Sequence, residues 1–255
     1  MSSVYIIPLG SGSTGNSFYL EIGGHRLLID LGIGYRKVRD ALNKYERDLS
    51  QIEAVFLTHG HYDHIKAAKA VCNHLECPVY ADQSVMYSIR NISAERKIFD
   101  MGTFEILPGL TVTKFPIPHD FVQTSGYVFS CADTKVGYVT DCGRMNDTIL
   151  EQLKGCDTVI LESNHDVEML KHGPYPKQLQ ARILSKYGHL SNAECAKTLG
   201  TLFETGTKHF LLAHLSLQNN TPEIALQTAR DVLAQNDVSI YVCPAEGDDL
   251  LEYRS

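Results

Sequence analysis

Seven consecutive residues, Thr58-His59-Gly60-His61-Tyr62-Asp63-His64, carry three imidazoles and one carboxylate. They directly follow the apolar run Ala54-Val55-Phe56-Leu57, so a chain leaving a buried strand points these side chains from the strand end into a cleft. His59 and His61 are two apart and face the same side of an extended backbone. Asp63 and His64 follow at a turn and offer an oxygen and a nitrogen to a second, neighbouring point. The pattern suits two adjacent cations, with a pair of imidazoles for the first and a carboxylate plus an imidazole for the second.

A two-metal centre needs more donors, and three downstream positions fit. His119 follows an apolar strand and the pair Pro116 and Pro118, Asp141 follows Val136-Gly137-Tyr138-Val139, and His214 follows Phe210-Leu211-Leu212-Ala213. Each ends an apolar run, where a core strand delivers a side chain into a cleft.

Those donors need strands to carry them. In the first third, strands are expected at 4–9, 18–22 and 26–29, the last two joined by the hairpin signal Gly23-Gly24. A helix over 36–45 places Val38, Leu42 and Tyr45 on one stripe. Strand 54–57 runs through the histidine motif into a helix over 64–75, and strand 78–81 follows. Short strands return at 103–106, 110–115, 125–131 and 135–139. The second half alternates strands at 158–161, 209–213 and 239–243 with helices near 177–187, 192–204 and 222–235. Ser191 or Asn192 with Glu194, and Pro222-Glu223, mark two of the helix starts. Two β-rich halves, each followed by helices, imply an α/β class protein: a four-layer αβ/βα sandwich with the site along the shared sheet edge. Nothing in the composition marks a linker, repeat or low-complexity stretch, so residues 1–255 read as one domain.

At 255 residues and 44% hydrophobic content the chain can bury a substantial core. Its formal charge of -7 argues against a broad basic face for duplex DNA, although two bound divalent cations would reverse the local sign at the site. The seven scattered cysteines include no C-x-x-C pair and read as reduced thiols. With no secretory start and no window of 18 apolar residues, the expectation is a soluble cytoplasmic protein that does not enter a membrane. No oligomeric interface is legible.

The ordered set His59-x-His61-x-Asp63-His64, His119, Asp141, His214 resembles the metallo-β-lactamase fold over nearly the whole chain. The resemblance implies that His59, His61 and His119 hold a first metal, that Asp63, His64 and His214 hold a second, and that Asp141 bridges them. True β-lactamases of this fold usually lack such an aspartate, which disfavours antibiotic degradation. Four segments narrow the resemblance: Gly10-Ser11-Gly12-Ser13-x-Gly15-Asn16-Ser17, Glu162-Ser163-Asn164-His165-Asp166, Gly188-His189-Leu190-Ser191-Asn192 and His214-Leu215-Ser216-x-x-Asn219-Asn220-x-Pro222. They resemble the YycJ/WalJ group, small bacterial proteins related to the tRNase Z and PhnP phosphodiesterases and linked to exonuclease action on DNA.

That resemblance implies a metal-dependent phosphodiesterase, with a DNA exonuclease favoured and two divalent ions (Zn, Mn or Fe) per chain. A hydroxide shared by the metals would attack phosphorus. His189 is similar to the non-ligand histidine of tRNase Z and would be the general acid, with Glu162 orienting it; Asp63 counts as catalytic as well as a ligand. Asp30, ending Leu27-Leu28-Ile29, is similar to the aspartate that orients a ligand histidine in this fold, and capping the next loop is the alternative. Ser13 and Asn16 are taken as substrate-binding residues in a loop that cradles phosphate, although a tight strand connection fits equally. His165 is also taken as a substrate contact, with metal ligation and packing as alternatives. Lys66, Lys69, Arg144 and Lys171 are loose candidates for phosphate contacts. Residues 142–156 are too short for a tRNA-clamping arm, which leaves DNA or a small phosphodiester. A small-molecule cyclic phosphodiesterase, a thioester hydrolase of the same fold and a non-catalytic binding module are the competing functions.

Overall fold

The computed structural model describes residues 4–233 and 237–245, together with the backbone of Tyr253–Arg254. Six strands open the first sheet: β1 (Val4–Gly10), β2 (Ser17–Ile22), β3 (His25–Ile29), β4 (Ala54–Phe56), β5 (Val79–Ala81) and β6 (Arg96–Ile98). The second sheet holds β7 (Gly102–Leu107), β8 (Leu110–Ile117), β9 (Thr124–Cys131), β10 (Thr134–Val139), β11 (Thr158–Glu162), β12 (His209–Ala213) and β13 (Ser239–Val242). A last strand, β14 (Tyr253–Arg254), returns to the first sheet beside β1.

The two sheets follow one plan. Each begins with antiparallel neighbours, β1 to β3 and β7 to β10. Each continues with parallel ones, β3 to β6 and β10 to β13. The turn between β2 and β3 uses Gly23 and Gly24 at φ 59° and 86°, the positive pair that a type I′ hairpin requires.

Alternation along the strands sorts apolar side chains into layers. Phe18, Leu20 and Ile22 of β2, Leu27 and Ile29 of β3 and Phe56 of β4 meet Val136, Tyr138, Ile160 and Leu211 from the second sheet in a shared core. The residues between them face outward to helices. Tyr19, Leu28 and Val55 pack with Val38 and Leu42 of α1 (Tyr35–Lys44) and with Val71 farther along. On the other side Val159, Leu161, Phe210 and Leu212 pack against the helices carrying Ile149, Leu199 and Ala229. Strands buried on both faces explain the near-continuous apolar runs in the sequence. The arrangement is the expected αβ/βα sandwich.

The helix expected over 64–75 is two short helices, α2 (Tyr62–Ile65) and α3 (Ala68–Cys72). The segment after β3 interrupts it: Leu31 N–H donates to the His64 carbonyl, and Ala67 N–H donates to the Leu31 carbonyl. Three more helices, α4 (Gln83–Ser88), α5 (Asp147–Leu153) and α6 (Val167–His172), were not anticipated. Asn146 and Asp166 cap α5 and α6 through their side chains, a signal present in the sequence. The helix expected to 187 is α7 (Lys177–Ile183), after which Gly188 N–H bonds to Ser185 and His189 N–H to Ile183, turning the chain back. α8 (Asn192–Glu204) and α9 (Pro222–Leu233) stand where the capping signals put them, residues 234–236 lying outside the described residues. No helix among the described residues is long and apolar enough to cross a membrane.

Burial pushes the thiols of Cys72, Cys156 and Cys195 up to about 12 and that of Cys77 up to about 11, and it also raises Cys142 and Cys243. Cys131 is half-buried. Since the thiolate is the reactive form, we expect an aromatic disulfide reagent to modify one thiol rapidly in the native protein and all seven in guanidinium. A Cys131→Ser variant should abolish the fast phase. Two or more fast native thiols would contradict this burial.

Candidate metal centre

Strand ends from both sheets meet at one cavity. The first sheet delivers Asp30 after β3 and the histidine motif after β4; the second delivers His119 after β8, Asp141 after β10, Glu162 at the end of β11 and His214 after β12. Asp30, Asp141 and His214 take φ of 58°, 55° and 57°. Left-handed backbone is costly for a side chain with a Cβ, and Asp, Asn and His tolerate it best. Hydrogen bonds hold these turns: His214 N–H donates to Ser11 Oγ at 2.8 Å, and Asn164 Nδ2 donates to the His214 carbonyl at 2.9 Å.

Two glycines permit close approach. A Cβ on Gly32 would stand 1.6 Å from the Asp63 carbonyl oxygen, and one on Gly60 would stand 2.4 Å from the Phe121 ring. Phe121 packs edge-on to both His59 and His61, with ring centroids 5.8 and 5.2 Å away. The glycine between the two histidines is therefore the space that Phe121 fills.

Four histidines have their Nδ1 tied back, which turns Nε2 inward. His64 Nδ1 lies 2.7 Å from Asp30 Oδ2, His214 Nδ1 3.0 Å from Glu162 Oε1, and His119 Nδ1 3.1 Å from the Gly188 carbonyl. His59 Nδ1 lies 3.0 Å from Thr58 Oγ1, whose hydroxyl donates to Asp30 at 2.9 Å. His61 is reversed: its Nδ1 lies 3.0 Å from His59 Nε2 and 3.4 Å from His119 Nε2. Three imidazole nitrogens thus converge. A second group joins Asp63 Oδ2 with His64 Nε2 at 3.5 Å and His214 Nε2 at 3.7 Å. Asp141 touches both groups, at 3.0 Å from His64 Nε2, 3.3 Å from His214 Nδ1 and 3.7 Å from His119 Nε2.

These donors fit divalent cations. Among the described residues the buried His214 Nε2 has no hydrogen-bond partner, and the buried Asp141 Oδ2 has only its ion-pair contact with His64, which is costly unless something else satisfies them. The electrostatics agree. Burial works against charge on His64 and His214, yet Asp141 with Asp30 raises the first well above the ordinary imidazole value, and Asp141 with Asp63 and Glu162 raises the second to about 10. The surrounding carboxylates thus favour positive charge on these two imidazoles, a charge that a proton or a metal can supply. His59 is pushed well below its usual value by burial and by neighbouring His64, and burial lowers His61 as well, so these two are neutral donors.

Glu162 is fully buried and serves two histidines. Its Oε1 accepts from His214 Nδ1 and from His189 Nδ1 at 2.7 Å, and its Oε2 accepts from Cys142 N–H at 2.7 Å and Leu190 N–H at 3.2 Å. Burial raises its pKa, but the charge and hydrogen bonds of His189 and His214 outweigh that and bring it to about 2. Burial opposes charge on His189, and Glu162 overcomes it, so the His189 pKa is raised.

His61, Asp63, His119, Asp141 and His214 line a cavity of about 370 Å³, together with Ser13, Tyr62, Asp120, Tyr175 and Arg182. Ser13 is on that wall. Asn16 lies behind it, fully buried, its Nδ2 donating to the Gly12 carbonyl at 3.1 Å and standing 3.0 Å from His64 Nε2. His165 is also buried and off the cavity wall, 3.3 Å from Asn164 Oδ1; burial lowers its pKa to about 4. Its neighbour Asn164 lines the cavity instead. Lys66, Lys69, Arg144 and Lys171 are exposed and not on the wall. Sequence reasoning missed Asp120, whose Oδ1 lies 3.3 Å from His119 Nε2 and 3.6 Å from His61 Nε2, and Arg182, which pairs with it. The carboxylate next to His119 was the available signal for the first; nothing local marked the second.

Residues 25–215 match the family described as Beta-lactamase superfamily domain. Exodeoxyribonuclease YycJ of Bacillus anthracis is 33% identical over 91% of this chain and 90% of its own length. Exodeoxyribonuclease WalJ of Streptococcus pneumoniae is 34% identical over 92% and 90%. The crystal structure of the metallo-beta-lactamase fold protein YhfI from Bacillus subtilis superposes with a TM-score of 0.74 over 98% of this chain and 100% of that one, at 16% identity, a likeness of fold.

Asp30 separates two roles experimentally. We expect Asp30→Asn, which keeps size and tolerates the left-handed backbone, to retain its circular dichroism but lose metal affinity about 10–100-fold on titration against a chelator. Unchanged affinity would reduce Asp30 to a cap of the following loop.

Proposed function

Because this chain belongs to the beta-lactamase superfamily, in its YycJ/WalJ-like group, and is a metal-dependent hydrolase, we propose that it cuts phosphodiester bonds in DNA, acting as an exonuclease with two divalent metals. His59, His61 and His119 would hold one ion, Asp63, His64 and His214 the other, with Asp141 between them. Zn, Mn and Fe all suit this set of imidazoles and carboxylates. Bound there, such ions supply the Lewis acidity that makes water nucleophilic near neutral pH and polarises a phosphoryl oxygen.

The observation that carries the reading is the sharing of Glu162 Oε1 by His214 and His189. One contact directs His214 Nε2 to the centre. The other commits His189 Nδ1 to Glu162 and leaves Nε2, on an imidazole that lines the cavity, to hold a proton for the departing oxygen. An alkoxide leaving group needs that proton, which is why this arrangement fits a phosphodiester better than a thioester. His189 Nδ1 also falls near Asp141, Glu162 and His214 in a group able to hold a cation; its short contact to Glu162 argues for the acid role. Ser13 on the wall is the proposed substrate hydroxyl contact. Support for DNA comes from the relatives' activity at 33–34% identity over nine tenths of both chains. A cavity of about 370 Å³ suits a nucleotide-sized group, in keeping with attack at a chain end.

End-labelled single- and double-stranded DNA, RNA and bis-p-nitrophenyl phosphate, offered to protein reloaded with Mn²⁺ or Zn²⁺, test the reading. Stepwise release of nucleotides from DNA is expected. Cleavage of the small diester alone would reassign the protein to small-molecule phosphodiesters, and no cleavage of any would sink the phosphodiesterase reading. For His189→Ala we expect turnover of DNA to fall about 10²–10⁴-fold with metal content intact. The loss should be much smaller on the p-nitrophenyl ester, whose leaving group needs no proton. Loss of metal would instead make His189 a ligand.

A further inference from the structure

Resting on the phosphodiester reading, we infer that Arg182, released from Asp120 on one edge of its guanidinium, is the residue that binds a substrate phosphate at the mouth of the cavity. Among the described residues lining that cavity, Arg182 is the one lysine or arginine, against the three carboxylates of Asp63, Asp120 and Asp141. Among the described residues on this wall, a polyanionic substrate meets no other lysine or arginine.

The geometry suits the role. Arg182 Nε and Nη2 both turn to a single oxygen, Asp120 Oδ2. A guanidinium has five N–H donors in a rigid fork, so the edge carrying Nη1 remains for a second oxyanion, and a fork of this shape matches phosphate bidentately. Asp120 Oδ1 faces His61 and His119 at 3.6 and 3.3 Å, so the guanidinium stands one carboxylate away from two of the proposed ligands. The Arg182 side chain is 61% exposed, too open to solvent for the pair to be chiefly a stabilising link. Arg182 sits in the last turn of α7, and the next carbonyl, Ile183, accepts from His189 N–H at 3.0 Å. The helix end that presents the cation therefore also holds the backbone of the proposed acid.

Calorimetric titration of inorganic phosphate into Mn²⁺-loaded protein tests this, with metal content and melting temperature measured alongside. Arg182→Ala should weaken phosphate binding about ten- to hundredfold at unchanged Mn²⁺ content, and Arg182→Lys should recover only part, because an ammonium keeps the charge but lacks the fork. KM for DNA should rise by a similar factor, with kcat changed less. If Arg182→Ala does not fold, Arg182→Lys and Arg182→Gln carry the comparison. Phosphate affinity equal to wild type in these variants overturns the inference and leaves Arg182 as a tether for α7; loss of Mn²⁺ with the substitution overturns it in favour of support for the ligands. The two readings fail separately. Wild type that cleaves no diester, yet binds phosphate through Arg182, refutes the nuclease and leaves this site standing.

Discussion

Asp30, Asp141 and Glu162 lie in the interior, and their ion-pair partners among the described residues are imidazoles alone: His64 for Asp30; His64, His119, His189 and His214 for Asp141; His189 and His214 for Glu162. Buried carboxylates need compensating charge, and removing it is strongly destabilising. Imidazoles compensate conditionally, since His64 and His214 can give up the proton on the inward Nε2 to a cation while Nδ1 keeps its carboxylate partner. The interior of this protein is thus arranged so that protons and divalent metals compete for one set of atoms. Asp30 and Glu162 play matching parts behind that set, one in each sheet, each fixing the nitrogen that an imidazole turns inward.

The sandwich supplies what this arrangement costs. Three of the site's turns are left-handed at residues other than glycine, on the order of 1–3 kcal/mol apiece. They persist because the strands entering them are buried on both faces in the shared core and its flanking layers. Neither sheet holds the whole proposed ligand set. His59, His61, Asp63 and His64 belong to the first, while His119, Asp141 and His214 belong to the second. The centre comes into being when the sheets pack, so cation binding favours the packed state.

Much of this was legible in the sequence for a physical reason. A donor at the end of an apolar run is both a strand signal and a site signal, and His119, Asp141 and His214 announced themselves that way. Gly60 between two histidines could be read as part of a motif; that it makes room for Phe121 could not, because Phe121 lies sixty-one positions on. The break between α2 and α3 was hidden for a similar reason, as it depends on Leu31 docking from a distant loop. Asn16 and His165 were placed near the substrate by motif and lie behind the wall in the fold. Burial of a polar residue in a loop follows from tertiary packing, which local pattern does not encode. Arg182 escaped notice because an exposed arginine in a short helix has no distinguishing neighbours in sequence.

The most direct measurement counts metal and locates it: anomalous diffraction at the Zn and Mn edges from crystals soaked in each ion, with wild type compared with Asp141→Ala. The account predicts two peaks per chain in the wild type, one within the His59, His61 and His119 set and one within the Asp63, His64 and His214 set, with weakening of both in the variant. A single peak in the wild type, or a variant that retains both at full strength, would contradict a paired centre joined by Asp141.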